Sequence, residues 1–395
     1  MRRIAAIFLV LLSAEIQAGD FDFGTDLELQ SRAFPGTAAW SGQDNRALQF
    51  SLGWTSELRW RSETGNMRGS LIPYLRWDGT DSERSLIDLK EAYLAFEGDE
   101  HEILAGANTV FWGVTESVHL VDIINQTDFA GDIDGEDKLG QPMVSFTLQK
   151  DWGELTAFVL PYFRERTFAG PDGRFRPPLP IDADRPLYES SEGQNHIDLS
   201  LRYSHYFGDV DLGLSAFSGT SREPRFVPSE DGTALLPLYD QINQVGVDLQ
   251  YTRDAWLWKL EAIARDGATE TFAAAVGGFE YTVFQVRETD ADLGLLLEYQ
   301  YDGRSEEEPF TIADNDVFIG ARLALNDVSD TAVLAGVSWD HRTNETFLSI
   351  VAERRFGDNW FGELRVRAFS GAKPGDTTYW FQQDDYIQLS ISRFF

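Results

Sequence analysis

The sequence predicts an all-β fold, a transmembrane antiparallel β-barrel of about 18 strands (16 as the alternative) with short periplasmic turns and long extracellular loops. Three observations carry that expectation. The last ten residues alternate, with Ile387, Leu389 and Ile391 on one parity against Gln388, Ser390 and Ser392 on the other, and they end on Phe395. Period-2 segments recur along the whole chain, joined by connections that are by turns short and long. Aromatic residues reach 13%, with 11 Trp and 28 Phe, while the mean hydropathy is only -0.29. That combination suits a barrel with aromatic girdles and a polar interior.

In chain order, residues 1–18 read as a cleaved secretory signal peptide. Arg2 and Arg3 are followed by an apolar run from Ile4 to Leu12, with a small residue at Ala18. Residues 19–395 are then the barrel. No later apolar stretch approaches the roughly 18 residues that a transmembrane helix needs, so a membrane-spanning chain must cross as strands. There is no cysteine to staple the fold. Strand character starts at 23–32 and continues at 46–61, 66–77 and 86–96. The short connections are 62–65, 98–100, 150–153, 207–209, 253–254, 288–290, 326–330 and 356–359, nearly all holding Asp, Asn or Gly, which tolerate tight-turn dihedrals. The long ones are 33–45, 113–138, 165–193, 221–239, 303–315 and 370–384. Two kinds of connection taking turns imply two sides, which a soluble sandwich or propeller has no reason to show. The final strand, 385–395, would run back to the periplasm and pair with the strand near Phe23. Phe395, Ile391, Leu389 and Ile387 would form the signal read by the barrel-assembly machinery, from whose pattern Arg393 departs.

Parity assigns the two faces of each strand. Leu48, Phe50, Leu52, Trp54, Leu58 and Trp60 would face lipid, while Ser51, Glu57, Arg59 and Arg61 would face the lumen. Ile197, Leu199 and Leu201 oppose His196, Asp198, Ser200 and Arg202. Trp256, Trp258 and Leu260 oppose Lys259, Glu261 and Arg265. Val317 and Ile319 oppose Asp316 and Arg322, and Leu364 and Val366 oppose Glu363, Arg365 and Arg367. The lumen should therefore carry both signs of charge and hold water. Strand 86–96 has charge on both parities at Asp88, Lys90 and Glu91, which predicts a bulge or register change. Segment 271–286 is rich in small residues and reads weakly as a strand.

A barrel this wide leaves an aqueous channel unless something fills it. The connection at 113–138 carries too many apolar side chains for a loop in solvent and is expected to fold inward. It would bring Glu116, Asp122 and Asp128 toward Arg59, Arg202, Arg322, Arg365 and Arg367 on the wall, creating a constriction with a transverse field. The acidic run Asp128, Asp132, Asp134, Glu136 and Asp137 fails the EF-hand spacing and is read as a solvated loop. The five histidines never take a metal-ligand spacing, so neither metal nor cofactor is expected.

The runs Leu89-Lys90-Glu91-Ala92-Tyr93-Leu94, 106–113 and 121–128 resemble a group of poorly characterised porin-like outer-membrane proteins over roughly residues 86 to 130. That family's matching region is an "EAYL" strand, a "GRQ…WG" strand and a "D…NP.D" loop. Here Ala107-Asn108 replaces Arg-Gln, and Gln126 replaces the proline. The resemblance implies an outer-membrane barrel and a link to transport of lipids or hydrophobic compounds beside inner-membrane efflux pumps. The residues themselves point to a passive channel for small or partly hydrophobic solutes.

Catalysis is the competing class, because His196 with Ser200 and His205 with Ser204 have the chemistry of a nucleophile and base, but such neighbours arise by coincidence and no enzyme is expected. A receptor or adhesin is the third class, drawing on the Pro- and Arg-rich loops at 164–191 and 221–239. Expected partners are outer-membrane lipids and lipopolysaccharide, the barrel-assembly machinery, periplasmic chaperones and a second copy of the chain. A formal net charge of -32 excludes nucleic acid, whose phosphates would repel it.

Overall fold

A computed structural model of the chain describes residues 19–312 and 314–395; the expected signal peptide at 1–18 lies outside them. The strands in order are β1 (Gly19–Ala33), β2 (Leu48–Ser62), β3 (Met67–Asp78), β4 (Leu86–Glu97), β5 (His101–Asn108), β6 (Gln141–Lys150) and β7 (Gly153–Leu160). Then come β8 (Leu187–Tyr188), β9 (Asp198–Phe207), β10 (Val210–Thr220), β11 (Arg225–Pro228), β12 (Leu235–Tyr239), β13 (Gln241–Arg253) and β14 (Trp256–Asp266). The last are β15 (Thr271–Val283), β16 (Asp292–Asp302), β17 (Asp316–Ala324), β18 (Ala332–Asp340), β19 (Thr346–Phe356), β20 (Trp360–Ser370) and β21 (Tyr386–Phe394). Eighteen of them form one antiparallel sheet, each paired with the next, and β21 pairs with β1 to close the barrel. Closure leaves no unpaired edge, the condition for strands in lipid. The weakly reading segment is the regular strand β15.

The closing register sets Asp26 opposite Phe394 and Ala33 opposite Ile387, so Ile387, Leu389 and Ile391 all point to the outer face and are exposed. Arg393 shares that face, yet its guanidinium stacks 5.3 Å from the Trp360 ring and 4.8 Å from the Phe395 ring. At the strand end a guanidinium can reach the interface along aromatic rings, which explains an arginine where an apolar residue is expected. Parity elsewhere places the faces as read from the sequence. Ile197, Leu199, Leu201 and Ile319 are exposed on the outer wall, whereas Asp198, Ser200, Glu261 and Asp316 are buried within. In β4 the pairing jumps from Ile72 opposite Glu91 to Pro73 opposite Leu89, leaving Lys90 as the extra residue of a bulge. The bulge lets Ile87 and Leu89 face outward below one parity and Phe96 above the other, so all the charges of the strand turn inward.

The short and long connections segregate to the two ends of the barrel, with exceptions. At the outer end 267–270 and 341–345 are short, and at the inner end 284–291 and 325–331 are longer than tight turns. At the outer mouth the long loops order one another. β11 and β12 pair antiparallel, and β12 adds β8 in parallel, giving a small sheet above the barrel. Arg174 within these loops is buried and ion-paired to Asp384 at 2.6 Å, and Arg176 spends its donors on backbone carbonyls of Ser41, Pro171, Pro177 and Pro178. These arginines hold loops together.

A charge on the outer belt tests the closing strand. Leu389→Arg should lower the unfolding free energy in lipid vesicles by about 2–4 kcal/mol, as a midplane arginine on the lipid face does. Val328→Arg, on an exposed inner turn, should stay within about 0.5 kcal/mol. Urea titration of both variants measures the difference.

Candidate functional site

The connection between β5 and β6 does not leave the barrel mouth but crosses the lumen. It leaves the wall at Thr109, and its backbone enters at Gly113, whose positive φ of +150° and missing side chain both matter. A Cβ there would sit 2.7 Å from His119 Nδ1 and 3.1 Å from Glu261 Oε1. Two wall carboxylates then receive the free N–H groups of an otherwise unpaired chain. Glu261 of β14 accepts from the Val114 and Thr115 amides at 2.8 and 3.1 Å, from the Thr115 hydroxyl at 2.7 Å and from the Val121 amide at 3.3 Å. Glu298 of β16 accepts from the Glu116 and Ser117 amides at 2.8 and 2.9 Å. Both carboxylates are buried, at 0% and 2% exposure, and these bonds satisfy charges that would otherwise be costly there.

Around these anchor points the segment is apolar and packs on an apolar part of the inner wall. Trp112, Val121, Ile123 and Ile124 form one core with inward side chains of β5, β6, β7, β10, β13 and β14, among them Leu104, Met143, Phe158, Phe217, Ile242 and Ile263. This corrects the expectation of a lumen lined by both signs of charge and filled with water, since part of it is apolar and packed. Charged and apolar inner positions occur even on one strand, as Glu261 and Ile263 of β14 show, and it is the apolar ones that the segment covers. The segment also takes hydrogen bonds at Ile124, whose carbonyl accepts from Arg222.

The far end reaches the opposite wall. Asp132 lies between Arg365 (2.5 Å), Arg367 (3.4 Å) and the Tyr386 hydroxyl (2.9 Å), while Asp134 pairs with Arg367 at 2.7 Å. Burial alone would push the Asp132 carboxyl up, but Arg367, Arg365 and Arg32 around it hold it below its ordinary value. Burial and the adjacent Asp132 charge push Asp134 up. Asp128 pairs with Arg76 of β3 at 2.8 Å and accepts from the Thr167 hydroxyl.

The expected acid–base encounters are thus partly re-paired. Glu116 does meet Arg322, with Lys259 at 3.9 Å. Asp122 instead pairs with Lys138 of its own segment at 3.0 Å, and Asp128 takes Arg76, so the acids opposite Arg365 and Arg367 are Asp132 and Asp134. Arg202 is held by Asp248 and lies over the Trp112 ring at 5.1 Å. Arg59 pairs with neighbouring Glu57 and, among the described residues, forms no ion pair with the segment. The acidic run is correspondingly solvated only in part, since Asp128 and Asp132 are buried while Glu136 is exposed. Among the described residues no group of side chains could hold a metal ion. Ser200 donates to the Ala216 carbonyl and His196 pairs with Asp198, so these two neighbours do not address each other. Sequence reasoning missed Glu298, Asp132, Arg76 and Lys138. An acid at an inner position amid Leu295, Leu297 and Tyr299 was the available signal for Glu298.

What remains open is a cavity of about 510 Å³ between the segment and the wall of β16 to β20. Its arginines, Arg322 and Arg367, are already paired with Glu116 and Asp134. Asp314, Asp316, Asp340 and Glu345 also line it and form no ion pair among the described residues. On the wall, Gly336 and Gly320 leave room for the Phe318 ring to lie flat, since a Cβ on Gly336 would meet that ring at 2.3 Å. His119 links Glu136 of the same segment, at 3.3 Å, to the wall carboxylate Glu261, at 3.6 Å. Burial works against its charge, yet the two carboxylates outweigh it and raise the imidazole pKa to about 10.

A closed 18-stranded antiparallel barrel with an apolar outer belt is the fold of outer-membrane β-barrel proteins. No protein-family model matches the chain, and no curated protein matches it. Among solved structures the chain is similar to Wzi of Escherichia coli, described as an outer-membrane protein involved in group 1 capsule assembly and a carbohydrate-binding β-barrel. The TM-score is 0.57 at 9% identity, covering 100% of this chain and 88% of Wzi. A mutant porin of Rh. blastica (TM-score 0.46, 12% identity, 95% of this chain and 100% of the porin) and OmpT of Vibrio cholerae (0.43, 9%, 96% and 99%) also match. The likeness to Wzi is one of fold.

Two outcomes follow for the lumenal segment. Asp132→Asn strands the guanidiniums around it, a loss of about 3–5 kcal/mol. Amide exchange in the segment should then quicken by at least about a hundredfold while the barrel strands stay protected. The His119 contacts should also depend on pH. A raised pKa means their contribution is complete below the ordinary histidine value of about 6.5 and is lost as pH climbs through about 10. Exchange around Glu136 should therefore accelerate between pH 7 and 10.5 beyond its intrinsic rise, and His119→Gln should remove that excess.

Proposed function

We propose that this protein is a porin-like channel of the outer membrane, through which small solutes pass passively between the segment 109–140 and the wall of β16 to β20. The observation that carries this reading is the polar cavity of about 510 Å³ left beside a lumen-crossing segment whose other face is packed dry. Low-dielectric walls focus the field of the unpaired acids Asp314, Asp316, Asp340 and Glu345, so the passage should favour cations. Transport of lipids or hydrophobic compounds beside an efflux pump is the alternative that the family resemblance implies. The apolar part of the lumen would serve it, but Val121, Ile123 and Ile124 already occupy that part, which favours polar solutes. The same reading makes the protein a non-enzymatic one, with membrane lipid, lipopolysaccharide, the assembly machinery and periplasmic chaperones as its partners.

Purified protein in a planar bilayer should give small discrete conductance steps, and a KCl gradient should set a zero-current potential of the sign for potassium preference. Deleting residues 115–134 should enlarge the step by at least about twofold, because an 18-stranded barrel without a filling is wide. A bilayer that stays silent at high protein loading would overturn the channel reading.

A further inference from the structure

On the outer side of the lumen-crossing segment lies a second cavity, of about 190 Å³, that shares Ser117, His119, Asp134 and Glu136 with the passage. Three guanidinium groups from separate parts of the chain converge on it. Arg265 comes from the top of β14, Arg304 from just after β16, and Arg166 from the connection after β7. Arg265 and Arg304 share one carboxylate, Glu223, at 2.5 and 3.4 Å. Arg304 has a second acid in Asp302, at 2.7 Å. Arg166 has none: among the described residues it forms no ion pair, and its Nε reaches only the Gln126 amide oxygen at 3.4 Å. The Arg304 Nε is buried with no hydrogen-bond partner.

The other charges around the cavity are committed elsewhere. Lys138 pairs with Asp122, Arg222 with Asp198, Asp134 with Arg367, and Glu136 with His119. The surplus is therefore cationic and sits at Arg166. A guanidinium does not shed its proton, so the site stays positive at any physiological pH. The rest of the wall is mixed: Ser117, Asn125, Thr127 and Thr311 stand beside an apolar surface made by Leu120, Ile123, Ile133, Ile263, Phe129 and Phe310, and the Arg166 guanidinium lies 5.7 Å from the Phe129 ring. An inorganic anion would satisfy the charge but leave this surface wetted. A carboxylate bearing an apolar body satisfies both. The space corresponds to on the order of six water volumes at ~30 Å³ each, enough for a single ring or a short chain.

We propose that Arg166, Arg265 and Arg304 form a binding site for a small organic carboxylate, its charged end on the guanidiniums and its apolar body against Phe129 and Phe310. The site deepens the channel reading and rests on it only for how the solute arrives. Its binding step stands separately.

The test is calorimetric titration of the full-length protein, purified in detergent, with benzoate as the probe. Benzyl alcohol, of the same shape but uncharged, and inorganic phosphate, charged but without the apolar body, serve as comparators. Benzoate should bind saturably at one site, with both comparators at least about tenfold weaker. Arg166→Gln should weaken benzoate at least about tenfold, and Arg166→Lys, which keeps the charge but loses the planar fork, should weaken it less. The heat-modified gel shift of a folded barrel qualifies each variant, and the lysine variant stands alone if the glutamine one does not fold. No saturable benzoate binding, an unchanged affinity in the folded variants, or phosphate binding as tightly as benzoate would each overturn the site. The same preparation in a planar bilayer separates the two ideas. Conductance without benzoate binding removes the site and keeps the channel, and benzoate binding by a protein that never conducts does the reverse.

Discussion

The rest of the structure depends on buried carboxylates that tie one irregular segment to opposite sides of a wide barrel. Eighteen strands enclose more space than their own side chains fill, so the interior must be either water or chain. Here chain crosses it, and a crossing chain without secondary structure must find partners for its N–H groups. Glu261 and Glu298 supply them at one wall, and Asp132 carries the segment's own charge into Arg365 and Arg367 at the other. A charged acceptor serves several backbone donors at once, which a neutral side chain could not do as strongly. Removing either side of such a contact leaves an unpaired ion in a place where water is scarce, so the arrangement is held in one position.

From that anchoring follows a division of the lumen. One side is sealed by packing of Val121, Ile123 and Ile124 against β5 to β14. The other side keeps a cavity whose unpaired charges are acidic, and the outer end keeps a pocket whose surplus charge is positive. Above both, aromatic contacts between Phe129, Phe310, Phe226 and Trp380 join the segment to the loops of the mouth. The two signs of charge are thus kept in separate compartments on either side of one strip of chain.

Much of the wall was legible in the sequence because a strand has an unambiguous period. Parity alone put Glu261, Arg322, Arg365 and Arg367 inside, and the conflicting charges of Asp88, Lys90 and Glu91 marked the bulge that the register of β3 and β4 shows. The final strand and its partner were legible for the same reason. Inside the segment no period exists, so proximity along the chain misled. Asp122 and Asp128 were expected at the wall arginines and Asp132 and Asp134 in solvent, yet Asp122 turns back to Lys138, Asp128 turns to Arg76, and Asp132 and Asp134 reach the far wall. Arg59 has the right parity but the wrong height, because parity gives the face of a residue and not its depth. The apolar half of the lumen was hidden because inward Leu104, Phe158 and Ile263 look, by sequence, like any other core residue.

Since the chain has no native cysteine, a cross-link between two introduced ones tests the lumenal crossing most directly. Ser117 lies on the segment, and Gln300 lines the same cavity from β16. With Ser117→Cys and Gln300→Cys in one chain, folded in vesicles, a short bismaleimide should join the two in most molecules, giving a shifted band on a denaturing gel that neither single variant shows. If the pair stays unjoined while each cysteine still reacts with a small maleimide, the segment does not cross to that wall and the account fails.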